Sequence, residues 1–196
     1  AASLASAGLD LGRQCAASGD RRLRGLDAGR LKAGALPMAE RVRLYEANIT
    51  WTGNRGQGTS AYAAYGRDHV VRAAGKPDLP MSADQAFLGD HARHNPEDLL
   101  VAAISSCHML WYLHLCANAG IIVRAYDDRP FGRLIESPEI GGHFESVLLR
   151  PKVTVESGDV QEALRLHQDA HKKCFIANSV NFPVLIEPAI LDTSKV

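Results

Sequence analysis

The sequence predicts an α+β fold, with antiparallel sheets gathered around one long buried helix. Three observations carry this. A block of short β-rich segments opens at Val42, a long apolar helical run starts at Asn95, and a second β block, an amphipathic helix and a final strand follow. Strands and helices in separate blocks, instead of repeated strand–helix–strand units, indicate α+β.

Taken in order, Arg43–Trp51 alternates and is rich in β-formers, and Asn54-Arg55-Gly56-Gln57-Gly58 reads as a turn. Thr59–Tyr65 and His69–Ala73 read as two further strands of an antiparallel meander. Residues 75–95 are punctuated by Gly and Pro. Asn95-Pro96-Glu97-Asp98 is a helix start: Asn caps, Pro suits the first helical position, and acids suit the positive end of the dipole. The helix is expected to reach about Asn118 and stop at Gly120. It is apolar nearly all round, which predicts burial within the protein. Ser105, Ser106, His108, His114 and Asn118 interrupt it, and they speak against a membrane span. Strands are expected at Ile121–Asp127, Gly132–Glu136, Gly142–Val155 and Phe182–Pro188. Asp159–Lys173 is helical, with Val160, Ala163, Leu164, His167, Ala170 and Cys174 on one stripe.

Residues 1–37 lack a sustained period and read as a leader or appended segment, poorly ordered, ahead of a domain at 38–196. Met38-Ala39-Glu40-Arg41 looks like a natural start. A transit peptide is the rival reading, weakened by Asp10, Asp20 and Asp27.

Lys plus Arg and Asp plus Glu balance at 22 each, so no basic excess points to nucleic acid or an anionic membrane. Four cysteines in 196 residues are too sparse for a secreted disulfide scaffold, which favours a reducing compartment such as the cytoplasm. Cys107 and Cys116 share a predicted helix, and 116 − 107 = 9. That spacing puts them on opposite faces about 13 Å apart, beyond the roughly 7 Å that a disulfide spans. With Cys15 in the doubtful leader, Cys174 is left as the candidate neighbour of Cys107. A reactive Cys107 needs a nearby positive charge; Arg55 in its turn is one candidate, and Arg41, Arg67, Arg72 and Arg93 are others.

Glu97 lies ten residues before Cys107, or about 15 Å along one straight helix. The two can meet only between chains. Two copies of the helix crossing antiparallel near Ala102 and Ala103 would put Glu97 of one beside Cys107 of the other, which predicts a homodimer. Two other functions compete. His167, His171 and Cys174 at i, i+4 and i+7 offer a zinc-like ligand set, and His91 and His94 a second pair. A non-catalytic, stress-induced dimer is the other.

The run Asn95-Pro96-Glu97-Asp98-Leu99-Leu100-Val101-Ala102-Ala103-Ile104-Ser105-Ser106-Cys107-His108 resembles the central-helix signature of the OsmC/Ohr family. His171-Lys172-Lys173-Cys174-Phe175-Ile176-Ala177-Asn178-Ser179 resembles its second-cysteine segment, except that members usually carry Pro where Phe175 stands. The resemblance spans roughly residues 43–190. It implies an intertwined homodimer with active sites at the subunit interface, and a thiol peroxidase that needs no cofactor. Cys107 matches the peroxidatic cysteine, Cys174 the resolving one, Glu97 the acid that orients an arginine, and Arg55 that arginine. An organic hydroperoxide would be the substrate and an external dithiol, of lipoyl type or another, the reductant. Ile104, Leu110, Trp111 and Phe175 around the cysteines predict an apolar pocket suited to alkyl or lipid-like hydroperoxides.

Overall fold

In a computed structural model, residues 42–139 and 141–193 are described, and every element named below lies in the unit Tyr45–Val196. The expectation for residues 1–37 falls outside the described residues.

The N-terminal sheet contains β1 (Asn48–Trp51), β2 (His69–Arg72) and β3 (Leu79–Met81), antiparallel in the order β1-β2-β3. Thr59–Tyr65 is not a strand. It belongs to the β1–β2 connection, which is closed by local turns such as Ala64 N–H to Ala61 O at 3.0 Å. The neck of that connection is two glycines wide. Gly66 N–H donates to Gly53 O at 2.7 Å, and Trp51 Nε1–H donates to Gly66 O at 2.8 Å. A Cβ on Gly53 would collide with the Gly66 carbonyl. Gly53→Ala is therefore expected to lower stability by about 2–3 kcal/mol through overpacking, read as a fall in the urea midpoint at unchanged slope.

α1 (Pro96–Asn118) starts where the sequence predicts. Asn95 Oδ1 accepts from Asp98 N–H at 2.8 Å, and Asp98 Oδ2 accepts from Asn95 N–H at 3.4 Å, a reciprocal cap. Gly120, at φ +70°, ends it in the left-handed region. Its burial differs from the expectation. Within the chain only the stripe Ile104, His108, Tyr112 and Cys116 is fully buried, while Ala102, Ser106, Leu110 and His114 on the opposite side are exposed. The helix is long and apolar enough to cross a membrane, with mean hydropathy 1.6 and 22 % of that stretch buried. One face packs on α2 and the sheets, and the other is an apolar surface open on the single chain.

After α1 come β4 (Ile122–Asp127), β5 (Phe131–Ser137), β6 (Gly141–Leu149) and β7 (Lys152–Ser157). α2 (Val160–Lys173), β8 (Val184–Ile186) and β9 (Ala189–Asp192) complete the order. The sheets are β4-β7-β9 and β5-β6-β8. Both are mixed, which corrects the expectation of antiparallel sheets: β4/β7 and β5/β6 are antiparallel, but β6/β8 and β7/β9 are parallel. The predicted strand Gly142–Val155 is two strands, because Arg150-Pro151 carries the chain from one sheet into the other. Glu187-Pro188 makes the same step between β8 and β9. Glu187 N–H to Leu149 O at 2.9 Å and Ala189 N–H to Pro151 O at 2.8 Å keep the two crossings side by side. Proline, lacking an N–H, sits where no ladder bond is required of it.

Two core clusters result. Tyr112, Cys116, Ile121, Val153, Val155, Ala163, Leu166 and Ala170 join α1 and α2 to the β4-β7-β9 sheet. Ile104, Val147 and Leu149 join α1 to β6. On α2, Leu166 takes the buried position that the stripe assigned to Leu164, which is exposed.

Candidate functional site

Cys107 lies midway along α1, half-buried, and Cys174 is the C-cap of α2 at 0 % exposure. Packing of α1 against α2 brings the two thiols close enough to interact, both reduced. Cys174 is held from three sides. Its S–H faces Ile104 O at 3.9 Å, Ala177 N–H donates to its sulfur at 3.4 Å, and Cys107 lies against it. Burial pushes the Cys174 thiol up to about 11; the Ala177 N–H partly offsets this, and Cys107 raises it further. Cys174 is thus the neutral, protonated partner.

Cys107 opens onto a cavity of about 570 Å³ whose walls include Ser106, Leu110, Trp111, His114 and Phe175. Trp111 stands edge-on to Phe175 at 5.5 Å and to His114 at 5.8 Å, and Lys173 Nζ lies 5.7 Å from the Trp111 ring centre. The apolar pocket read from the sequence is present. Ile104 is not one of its walls; it is fully buried beneath, in the second core cluster. Phe175, where a proline was expected, is 62 % exposed and forms a wall of the cavity.

Glu97 does not meet Cys107 within the chain. It lines a different cavity, of about 480 Å³, with Asp84, Phe131 and Glu136 among its neighbours. Arg55 is exposed on its turn, and its guanidinium packs against Gly66. Of the four residues singled out, the fold brings Cys107 and Cys174 together; Glu97 lines a different cavity, and Arg55 is not a wall of the one at Cys107.

The proposed metal set does not converge. Among the described residues no group of three or more His, Cys, Asp or Glu could hold a metal ion. Cys174 stays on the buried side of α2, but its sulfur faces Ile104 O and Cys107. His167 is engaged elsewhere, its Nδ1 3.0 Å from His108 Nε2 in a hydrogen bond between two buried rings.

That histidine pair is the feature of the site region that sequence reasoning missed. His108 follows Cys107 directly, and His167 stacks on Tyr112 at 3.8 Å. Burial, then the nearby His171, lowers His108 to about 4; burial, then His108, lowers His167 to about 3. Both rings are neutral at pH 7. The signal for them was present, since each falls on its helix's buried stripe. A second unread contact is Ser105 Oγ–H to Asp128 Oδ2 at 2.5 Å, with Arg150 N–H to Asp128 Oδ1 at 2.7 Å. Asp128 ties the turn of α1 that carries Cys107 to the β6–β7 crossing.

A long helix carrying Cys107, packed between mixed sheets and a second helix whose C-cap is Cys174, defines the class of fold. The family model described as OsmC-like protein matches residues 89–188, and the chain belongs to that family. An OsmC-like protein of unknown function from Vibrio cholerae is 31 % identical, with a TM-score of 0.66 over 75 % of this chain and 99 % of that one. An organic hydroperoxide resistance protein OsmC from Legionella pneumophila shares the fold at 17 % identity, with a TM-score of 0.55 over 77 % of this chain and 98 % of that one. An OsmC-like protein from Mycoplasma pneumoniae shares it at 9 % identity, with a TM-score of 0.60 over 76 % and 98 % of the two chains. No curated protein matches the chain.

Proposed function

We propose that this protein is a thiol peroxidase that reduces organic hydroperoxides to alcohols. The observation that carries the reading is the pair itself: a half-buried cysteine at an apolar cavity, in contact with a fully buried, protonated one. The Cys107 thiolate attacks the terminal oxygen of the hydroperoxide. An S–O bond forms, the O–O bond breaks, and the alkoxide takes a proton from water to leave as the alcohol. The sulfur has lost two electrons and is a sulfenic acid. The Cys174 thiol then displaces its oxygen, which leaves as water carrying the thiol proton, and the disulfide closes. An external dithiol, lipoyl or similar, restores both thiols by exchange and is itself oxidised. The apolar walls Leu110, Trp111 and Phe175 favour alkyl or lipid-like hydroperoxides over hydrogen peroxide. The name of the Legionella relative points the same way.

The working unit of this reading is a homodimer. The exposed stripe Ala102, Ser106, Leu110 and His114 on α1 gives the second copy an apolar face to cover, and Glu97 of one copy approaches Cys107 of the other. The charge that activates Cys107 comes from the β1–β2 connection, where Arg55 and Arg67 both stand. A reducing compartment such as the cytoplasm suits the cycle.

Mass spectrometry after one equivalent of cumene hydroperoxide tests this. The expected product is a Cys107–Cys174 disulfide, lost when dithiothreitol is added. Three untouched thiols at Cys107, Cys116 and Cys174 would remove the peroxidase reading.

A further inference from the structure

We infer that the cleft between α2 and β8 is a second binding site, for an amphipathic monocarboxylate whose alkyl chain lies on β8 and whose carboxylate meets His167 and Lys172. It is independent of the chemistry at Cys107, since the two cavities share no wall.

The cleft encloses about 700 Å³, within the size range of small-molecule sites. Its apolar side is Leu164 from α2 with Val184, Leu185 and Ile186 from β8. Leu164 is 41 % exposed and Leu185 52 %. One exposed leucine is ordinary, but two on facing elements of one cleft make a patch that an alkyl chain can cover. None of these residues lies on the α1 stripe that the homodimer reading covers.

The polar side comes from α2. His167 is 2 % exposed, walls the cleft, and has an Nε2 with no hydrogen-bond partner. His171, one turn further on, also walls the cleft and has a buried Nδ1 without a partner. His167 Nδ1 is occupied by His108 Nε2 at 3.0 Å, so Nε2 is directed away from that contact. The His167 ring is neutral, because burial lowers it to about 3, and it carries one N–H and one lone pair. Two arrangements satisfy the bond between the histidines. If His167 donates, the N–H left over is His108 Nδ1, in the core, where it has no partner. If His108 donates, the N–H left over is His167 Nε2, on the ring that walls the cleft. A buried N–H without an acceptor is unfavourable, and only the second arrangement lets a ligand supply one. The site therefore presents a donor and calls for an acceptor.

The charge of the ligand follows from the remaining walls. Among the described residues that form the cleft, Lys172 is the one full cation and none is a carboxylate. Its ammonium has three donors, and its contact with Asp169 is long, at 3.5 Å. One ammonium and one imidazole N–H suit a singly charged carboxylate, whose hydrogen bonds they strengthen by charge. A doubly charged phosphate would be left half compensated.

Calorimetric titration of the full chain with decanoate as the probe tests this. Saturable binding of one decanoate per chain is expected, with decanol, which keeps the chain length and lacks the charge, at least tenfold weaker. Leu185→Asp puts a like charge on the apolar wall at an exposed strand position and is expected to weaken decanoate tenfold or more. His167→Phe, which keeps a ring and loses the N–H, weakens it about tenfold, and Lys172→Ala about threefold. Should His167→Phe not fold, the two surface variants carry the comparison. Prior alkylation of Cys107 with iodoacetamide leaves the affinity unchanged. In ring ¹⁵N spectra, Nε2 is the protonated nitrogen of His167, and its resonance moves when decanoate is added. Equal affinity for decanol and decanoate overturns the carboxylate. Binding that is lost on alkylation of Cys107 and untouched by Leu185→Asp lies in the other cavity and overturns the site. The absence of saturable binding overturns it as well, including where a second copy of the chain closes the cleft.

Discussion

Cys107→Ser is expected to abolish hydroperoxide reduction, a loss on the order of 10⁴-fold or more, as when other enzymes lose their nucleophile. A serine hydroxyl at neutral pH is un-ionised and a poor attacker of an O–O bond. Cys174→Ser behaves differently. Its serine can still donate to Ile104 O and accept from Ala177 N–H, so the pocket floor survives. One equivalent of peroxide is consumed at close to the wild-type rate, and turnover with a dithiol then falls sharply, because the sulfenic acid has no internal thiol to close on. Excess peroxide drives Cys107 to the sulfinic acid in that variant. Rapid-mixing measurement of the first turnover beside steady-state assay separates the two roles. Equal loss of the first turnover in both variants removes the division into attacking and resolving cysteines. The difference follows from the packing: Cys107 opens on the cavity, whereas Cys174 is fully buried and held as a thiol by burial.

Elements specified by neighbours in sequence were legible beforehand. The start of α1 is written in Asn95, Pro96 and Asp98, and its end in Gly120, because capping and left-handed backbone are local chemistry. The parallel pairs β6/β8 and β7/β9 were not legible, since they join segments far apart in the chain and leave no local trace. Thr59–Tyr65 has strand-like composition, but the Gly53–Gly66 neck and short-range turns overrule it. The helix was read as buried from its apolar circumference. One chain buries only the Ile104–Cys116 stripe, and an apolar circumference does not say whether the cover comes from the same chain. At the site, the contact of Cys107 with Cys174 spans 174 − 107 = 67 residues, so spacing made Cys174 a candidate and only the family resemblance gave it a role. The ligand-like spacing of His167, His171 and Cys174 was a true periodicity with the wrong consequence, because His167 is engaged with His108 and the Cys174 sulfur with Ile104 O. His167 was placed on the buried stripe of α2, and His108 was read only as a polar interruption of α1. Their pairing depends on how α1 crosses α2, which neither stripe encodes.

That pairing sets the second large effect, a loss of stability in mild acid. Both imidazoles are kept neutral in the fold, with His108 lowered to about 4 and His167 to about 3, chiefly by burial. In the unfolded chain each titrates near 6.5. For a histidine lowered in the fold, the unfolded state binds the proton first, so the contribution is fully present above about pH 6.5 and is lost as pH falls toward 4 and then 3. The groups facing the pair are Tyr112 and Cys116 from α1, His171 from α2 and Tyr126 from β4. Tyr112, Cys116 and Tyr126 are all raised by burial and carry no charge in this range, so none of them can accept the proton in place of a histidine. Each histidine should remove about 2 kcal/mol of stability between pH 7 and pH 5, or roughly 4 kcal/mol for the pair. That is a large share of a typical total of about 5–15 kcal/mol. Urea unfolding at the two pH values reads it directly. His167→Gln, which has a hydrogen-bonding amide and no titration, should weaken the protein at pH 7 yet halve the difference between pH 7 and pH 5. A wild type equally stable at both values would show that the two rings are not held neutral in the core. The same titration bears on the site, since His108 shares a helical turn with Cys107 and His167 anchors the helix that ends in Cys174. Protonating the pair forces apart the two helices whose contact holds the thiols together, so the rate of disulfide formation in Cys107-oxidised protein should fall over the same pH range as the stability.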